Sequence, residues 1–74
     1  MNRYKIRQIM DYIRGQGPLP TDPYGQTLAI DEIIAWYGLY EILNPLEQHQ
    51  IKNELQAMKE AEITLLQLRR YTHE

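Results

Sequence analysis

The residues of this chain that could take part in catalysis or metal binding are few and widely spaced. The sequence contains no cysteine and no serine, which excludes thiolate ligands and the commonest nucleophiles. His49 follows Glu47, but a zinc site needs three or four ligands, and neither this spacing nor His73 supplies them. The adjacent acids Asp31 and Glu32 are typical of a helix start, where carboxylates face the positive end of the helix dipole. We therefore predict no catalytic residues, no metal ligands, no cofactor and no enzymatic activity.

Aromatic side chains are the most distinctive chemical feature of the sequence. It has six tyrosines and one tryptophan but no phenylalanine. Tyrosine offers a large contact area and keeps a polar hydroxyl, which suits protein interfaces. The alternative is that a small bundle packs its tyrosines edge-on, with their hydroxyls reaching water. The residues that we predict to bind a partner are Tyr24, Trp36, Tyr37 and Tyr40.

The first element that must position these residues is an amphipathic helix. Apolar residues at helical spacing, i, i+3, i+4 and i+7, predict a helix near residues 3–14. Gly15 is expected to end it, because glycine tolerates the left-handed conformation at a helix end. The following residues 15–27 are rich in proline and glycine and predict a loop, with a type I turn from Asp22 to Gly25. The stripe consists of Ile6, Ile9, Met10 and Ile13.

Residues 28–43 are helical in spacing but apolar on nearly every side. Thr27 is a reasonable N-cap for this second helix. Gly38 has three interpretations. Inside one continuous helix, glycine costs about 1 kcal/mol relative to alanine. Otherwise Gly38 ends a shorter helix at Tyr37, or it allows the close approach of another helix. We favour a continuous or slightly kinked helix. A helix that is apolar all round needs cover on more than one side, and this predicts a second copy or another protein docked on it.

A strong helix start follows at Asn44. Asn44 is placed as N-cap, Pro45 as the first helical residue, and Glu47 completes the spacing of a capping box. The third helix is expected near residues 45–71, antiparallel to the second, with a break near Ala61 as the alternative. Its apolar stripe consists of Ile51, Leu55, Met58, Leu65 and Leu68.

These elements predict an all-α fold, a small three-helix bundle with a long third helix and a hairpin of helices 2 and 3. At 74 residues the chain is expected to form a single helical domain, 1–74. The core is predicted to centre on Ile9, Ile13, Ile33, Ile34, Leu55 and Met58.

The charge distribution is uneven, although the net charge is only −2. Residues 1–17 are basic and residues 18–47 contain five acids and no lysine or arginine. We interpret this as complementarity within the molecule. Nucleic-acid binding is the less favoured alternative, and it needs the first and last helices side by side to form one basic patch. That patch would contain Arg3, Lys5, Arg7, Arg69 and Arg70.

The segment from Trp36 to Tyr40, with Pro45 and Glu47 following, resembles the Trp-aromatic-Pro-Glu segment of some small phage tail-assembly chaperones. The resemblance spans residues 36–47. It implies a small accessory protein that acts by binding, and no residue role is carried over from it.

The sequence therefore predicts a non-catalytic protein–protein interaction module, such as an adaptor, an inhibitor or an assembly factor. Its partner would be another protein or a second copy in a homodimer. The alternative is a small nucleic-acid-associated regulator. The absence of cysteine and of a long apolar segment predicts a cytoplasmic protein without a membrane span.

Overall fold

The computed structural model describes the backbone of residues 3–72 and the side chains of residues 3–69. It contains helix α1, Arg3–Gly15, helix α2, Ile30–Trp36, a 3-10 turn that we call η1, Leu39–Glu41, and helix α3, Pro45–Thr72. Within the described residues, β-structure is limited to one antiparallel bridge, between Thr21 and Thr27. The predicted all-α fold with a long third helix is confirmed, and α1 and α3 each end one residue later than expected.

Helix α1 runs parallel to α3. Lys5, near the start of α1, contacts Glu47 near the start of α3. Arg14, at the other end of α1, contacts Glu54 one to two turns further along α3. The loop that follows α1 continues in the same direction, because the backbone N–H of Leu19 donates to both carboxylate oxygens of Glu62 at 3.3 and 3.2 Å.

Helix α2 packs against α3, with which the short connection through η1 links it. The Lys59 ammonium donates to the carbonyl oxygen of Leu28 at 3.0 Å, just before α2. Lys52, nearer the start of α3, lies 3.3 Å from Asp31 in the first turn of α2. Both short helices pack on α3, which forms one wall of the whole core.

The core contains residues of all three helices, of η1 and of the first loop. Four of the six predicted core residues, Ile13, Ile33, Ile34 and Leu55, are fully buried. Ile9 and Met58 are only partly buried and pack at its edge, because they lie on the flanks of their stripes. The other buried apolar residues are Ile6, Met10, Leu19, Leu39, Leu43 and Ile51.

The prediction of one helix over residues 28–43 is wrong. Helix α2 has seven residues and is followed by Tyr37, and Gly38 then adopts the left-handed conformation with φ +68°. The N–H of Gly38 donates to the carbonyl of Ala35, a bond typical of a helix end. The break redirects the chain so that Leu39 and Leu43 are buried as well. One straight helix would point apolar residues in all directions.

Two predicted helix ends are also corrected. Thr27 does not cap α2, because it pairs with Thr21 and the helix begins three residues later. Ala29 occupies the cap position, and its N–H donates to the Glu32 carboxylate at 3.2 Å. After α1 the left-handed residue is Gly17, with φ +97°, and Gly15 still belongs to the helix.

The predicted start of α3 is confirmed. The N–H of Glu47 donates to the Asn44 side-chain oxygen at 2.8 Å, and the N–H of Asn44 donates to the Glu47 carboxylate at 3.0 Å. The helix then continues without a break through Ala61. Its 28 residues correspond to about 42 Å, whereas α1 has 13. The part of α3 after Glu62, residues 63–72, therefore extends past α1 and α2, and we call it the arm.

Replacing Gly38 with alanine tests the break in the second helix. The left-handed conformation costs a residue with a Cβ roughly 1–2 kcal/mol, and no atom lies close enough to the new Cβ to add a clash. We expect Gly38→Ala to lower the free energy of unfolding by about that amount in urea titrations. In a continuous helix the same change would stabilise the protein. Gly15→Ala is the control. Gly15 lies in α1 without a positive φ, so this change should not lower the free energy of unfolding.

Replacing Leu55 with alanine tests the position of the core. Leu55 is fully buried on α3, so the cavity should cost about 2–5 kcal/mol, a large part of the stability of a small domain. Leu46→Ala, at an exposed leucine of the same helix, should change stability by about 0.5 kcal/mol or less. Similar thermal melting of the two variants would show that the wrong face of α3 is placed inward.

Candidate protein-binding groove

An open groove separates α1 from the corner formed by α2 and η1. It encloses about 350 Å³. It exists because α1 and α2 both pack mainly on α3 and α2 is only two turns long, so α2 does not cover the neighbouring side of α1. We call it the α1–α2 groove. Its lining is Gln8, Ile9, Tyr12, Ile13, Tyr37, Leu39 and Ile42.

Two tyrosines meet across this groove. The rings of Tyr12 and Tyr37 lie edge to face, with centroids 6.4 Å apart and planes at 82°. Tyr37 is half-buried and packs against the core, while Tyr12 remains 61% exposed. Burial raises the pKa of the Tyr37 hydroxyl, and the nearby Tyr12 and Glu62 raise it further. The groove therefore presents neutral, aromatic surface at physiological pH.

Trp36 is the last residue of α2 and directly precedes Tyr37. Asp31 faces α3 through Lys52, and five residues correspond to about 140° around a helix. Trp36 is therefore on the side of α2 away from Lys52, next to Tyr37. Its side chain is 66% exposed. Of the four predicted partner-binding residues, Tyr37 lines the groove and Trp36 is its exposed neighbour in the chain.

The other two predicted residues lie elsewhere. The Tyr40 hydroxyl donates to Asp31 at 3.3 Å, which places Tyr40 on the opposite flank of α2. Tyr24 is 89% exposed at the predicted turn, where the N–H of Gly25 donates to the Asp22 carbonyl. The Asp22 carboxylate also accepts the Tyr24 N–H, which rigidifies this turn. The four residues do not form one continuous surface.

Sequence reasoning missed Tyr12 and Ile42. Tyr12 lies beside the apolar stripe of α1, next to Ile13 and one turn after Ile9, and this position on the flank was its only signal. Ile42 is 52% exposed although it is apolar, and its position at the groove depends on the turn after Gly38. No sequence pattern shows that these two side chains share a cavity.

An ion pair between a half-exposed lysine and a buried carboxylate lies next to Ile42, which lines the groove. The Lys5 ammonium donates to the Ile42 carbonyl at 2.6 Å and to the Glu47 carboxylate at 3.0 Å. Glu47 is buried, and its carboxylate also accepts the Asn44 N–H. This hydrogen bond and the adjacent Lys5 hold the pKa of Glu47 below its ordinary value, although burial alone would raise it. The pair joins α1, the end of η1 and the start of α3.

The lowered pKa of Glu47 predicts a pH dependence of stability. A carboxyl whose pKa is lower in the folded state stabilises the protein above its unfolded pKa, about 4.3, and loses this contribution as the pH falls toward the folded value. Glu47→Gln keeps an accepting oxygen but does not titrate. We expect the free energy of unfolding of this variant, measured in urea, to fall furthest below that of wild type at neutral pH. The difference should shrink as the pH falls below about 4.3. Glu41→Gln, at an exposed acid of η1, should follow the wild-type curve. A constant deficit for Glu47→Gln would contradict the ion pair.

The basic side chains do not form the single patch required by the nucleic-acid alternative. Helices α1 and α3 do lie side by side, but Lys5 contacts Glu47, and Arg69 is about 33 Å further along α3. Arg3 and Arg7 line a separate recess that also contains Glu54. Arg70 lies outside the described side chains.

No group of three or more histidine, cysteine, aspartate or glutamate residues in the described part of the chain could hold a metal ion. His49 is exposed on α3, and His73 lies outside the described residues. Over residues 3–72, no helix has the length and apolar character needed to cross a membrane.

Comparison of the chain with protein-family models, with curated proteins and with solved structures returns no match. The resemblance of residues 36–47 to phage tail-assembly chaperones gains no support from these comparisons.

Proposed function

We propose that this protein is a non-catalytic protein–protein interaction module that binds a segment of another protein in the α1–α2 groove. It would serve as an adaptor, an inhibitor or an assembly factor, and its lack of cysteine suits a reducing cytoplasm. The observation that carries the proposal is the open groove itself, with Tyr12 and Tyr37 in contact across it. Tyrosine and tryptophan are the residues that most often dominate binding energy at interfaces.

The chemistry of the lining supports a protein segment as the occupant. Gln8 supplies the only side-chain amide among the lining residues, and the remainder are aliphatic or tyrosine. Small-molecule sites usually add several converging polar groups to such a surface. An apolar side chain of a partner, inserted between Tyr12 and Ile42, would instead displace water from both and leave the Gln8 amide at the rim.

The groove and Trp36 together form the surface that we assign to the partner. Trp36 extends this surface along α2. Tyr24 and Tyr40 would take part only if the partner also reaches the turn after α1 or the opposite flank of α2. The alternative occupant of the same groove is a second copy of this chain.

Variants of the groove test this function. Tagged protein is used to capture partners from cells of the native host, and the affinity of each purified partner is then measured. Tyr12→Ala and Trp36→Ala should each weaken binding at least tenfold, because truncating a central aromatic residue costs about 2 kcal/mol or more. Tyr4→Ala is the matched control, since Tyr4 is an exposed tyrosine of α1 that does not line the groove.

Tyr24→Ala, made in parallel, decides whether the turn belongs to the interface. Binding should depend little on salt, whereas phosphate contacts to a nucleic acid weaken steeply as salt is raised. Unchanged affinity of the Tyr12 and Trp36 variants, with folding intact, would contradict the assignment of the groove.

A further inference from the structure

The arm carries a second apolar surface, and none of its residues lines the groove. Four large aliphatic side chains lie within six residues, and each is between 40% and 60% exposed. They occupy the part of α3 that α1 and α2 are too short to reach. The four are Ile63, Leu65, Leu66 and Leu68.

Three of these side chains, Ile63, Leu65 and Leu66, extend the core side of α3 beyond the bundle. At about 100° per residue, Leu66 lies within about 20° of the direction of Leu55, which is fully buried, and Ile63 and Leu65 lie about 80° to either side. Leu68 lies about 140° from that direction, on the other side of the helix with Thr64 and Gln67. Glu62 and Arg69 lie on the apolar side, one heptad apart. The arm is thus an amphipathic helix with one acid and one base on its apolar side.

Residues 62–69 have a two-fold pattern about the midpoint between Leu65 and Leu66. Read from either end toward the middle, they are charged, apolar, polar and apolar. The two end residues have opposite charge. Consider a second arm that runs antiparallel, with its midpoint level with the first along the helix axis. Each apolar residue then lies opposite an apolar residue, each polar residue opposite a polar one, and each charge opposite the opposite charge. The matched positions are Glu62 with Arg69, Ile63 with Leu68, Thr64 with Gln67, and Leu65 with Leu66.

We propose that two copies of this chain associate through their arms, antiparallel, about a two-fold axis between Leu65 and Leu66. In this arrangement the leucines pack around the axis, and Glu62 of each copy pairs with the partner's Arg69. Because the interface is isologous, each copy contributes the same surface and the charge pair forms twice. The proposal rests on the proposed function only in taking the protein to act by binding, and it does not use the groove.

An open recess on the apolar side of the arm could receive side chains of the second arm. A recess of about 280 Å³ lies between the arm and the loop after α1, with Gly17 and Pro18 on one side and Leu65, Leu66 and Arg69 on the other. Glu62 lines the same recess. Its carboxylate accepts the Leu19 N–H, and a carboxylate has sites for further donors.

The charges favour a second copy over a membrane surface. Helices that lie on membranes usually carry lysine and arginine on their polar face. On this part of α3 the face opposite Leu66 holds Glu60, Thr64, Gln67 and Leu68, whereas Arg69 lies on the apolar side. An exposed base with an acid one heptad away on the same side is instead suited to an antiparallel copy of itself.

Sedimentation equilibrium of the full chain, from about 5 µM to about 1 mM, tests the association. We expect a monomer–dimer equilibrium in this range, because an interface of this length is below the standard size. Leu66→Glu should weaken dimerisation at least tenfold without lowering the melting temperature, since Leu66 is exposed in the single copy. Tyr12→Ala, in the groove, should leave dimerisation unchanged. A monomer at every concentration would overturn the proposal, and so would loss of the dimer only in the groove variant.

Charge exchange tests the register. Glu62→Arg places arginine opposite the partner's Arg69, and Arg69→Glu places glutamate opposite the partner's Glu62, so each variant alone should dimerise at least tenfold more weakly. An equimolar mixture of the two restores both opposite-charge pairs and should dimerise about as well as wild type. Their melting temperatures show whether the Glu62 variant still folds. If it does not, Arg69→Glu alone and the double variant, which restores the pairs within one chain, carry the test. A mixture or double variant no better than the single variants would overturn the register.

The direction of the arms is measured with a spin label. The chain has no cysteine, so Gln56→Cys, at an exposed position of α3, allows one nitroxide per copy. Antiparallel pairing about the midpoint of Leu65 and Leu66 separates the two labels by about 28 Å along the helix axis. Parallel arms would bring them to about the interhelical distance, 8–10 Å plus the label length, and this result would contradict the proposal. A lipid-dependent or heterologous association without a dimer would contradict it as well.

Discussion

The carboxylate of Glu47 is the point on which the arrangement of the helices depends. It accepts the Asn44 N–H and the Lys5 ammonium, and Lys5 also donates to the carbonyl of Ile42. The Glu47 carboxylate therefore caps the start of α3. Through Lys5, it also fixes the end of the corner after η1 and the position of α1 along α3. A buried carboxylate without these donors would be strongly unfavourable. The three segments are consequently held together by the need to satisfy one charge as well as by apolar packing.

The groove is a consequence of where the second helix ends. The left-handed turn at Gly38 places Leu39 and Leu43 in the core, but it leaves only two turns of α2 beside α1. Two turns bury Ile33 and Ile34 against α3 and leave the sides of Tyr12 and Ile42 uncovered. The same break thus completes the core on one side and opens an aromatic groove on the other.

The hydrogen bonds between Leu19 and Glu62 divide α3 into two parts with different surroundings. Before Glu62, the apolar side of the helix is covered by α1, α2 and the first loop. After it, the same side continues along the arm without a neighbouring helix from this copy. A small protein thereby presents two apolar surfaces, the groove and the arm, which share no lining residue.

The sequence by itself determined the elements whose signals are local. The stripe of α1 and the capping residues Asn44, Pro45 and Glu47 specify helices through contacts within a few residues, so α1 and α3 were predicted to within one residue. The same local pattern identified Ile13 and Leu55 as core. It also placed Trp36 and Tyr37 among candidate contact residues, without showing which neighbours they would have.

Only the tertiary structure decided the end of the second helix and the positions of both apolar surfaces. Glycine adopts the left-handed conformation about as readily as the right-handed one, so Gly38 by itself does not decide where the helix ends, and the burial of Leu39 and Leu43 in the core does. The leucines of the arm have the same spacing as those of the core. Their exposure follows from the short lengths of α1 and α2, which do not reach them, and the cavity shared by Tyr12 and Ile42 follows from two segments meeting 30 residues apart. Such contacts are absent from any local pattern because they depend on which elements the whole chain brings together.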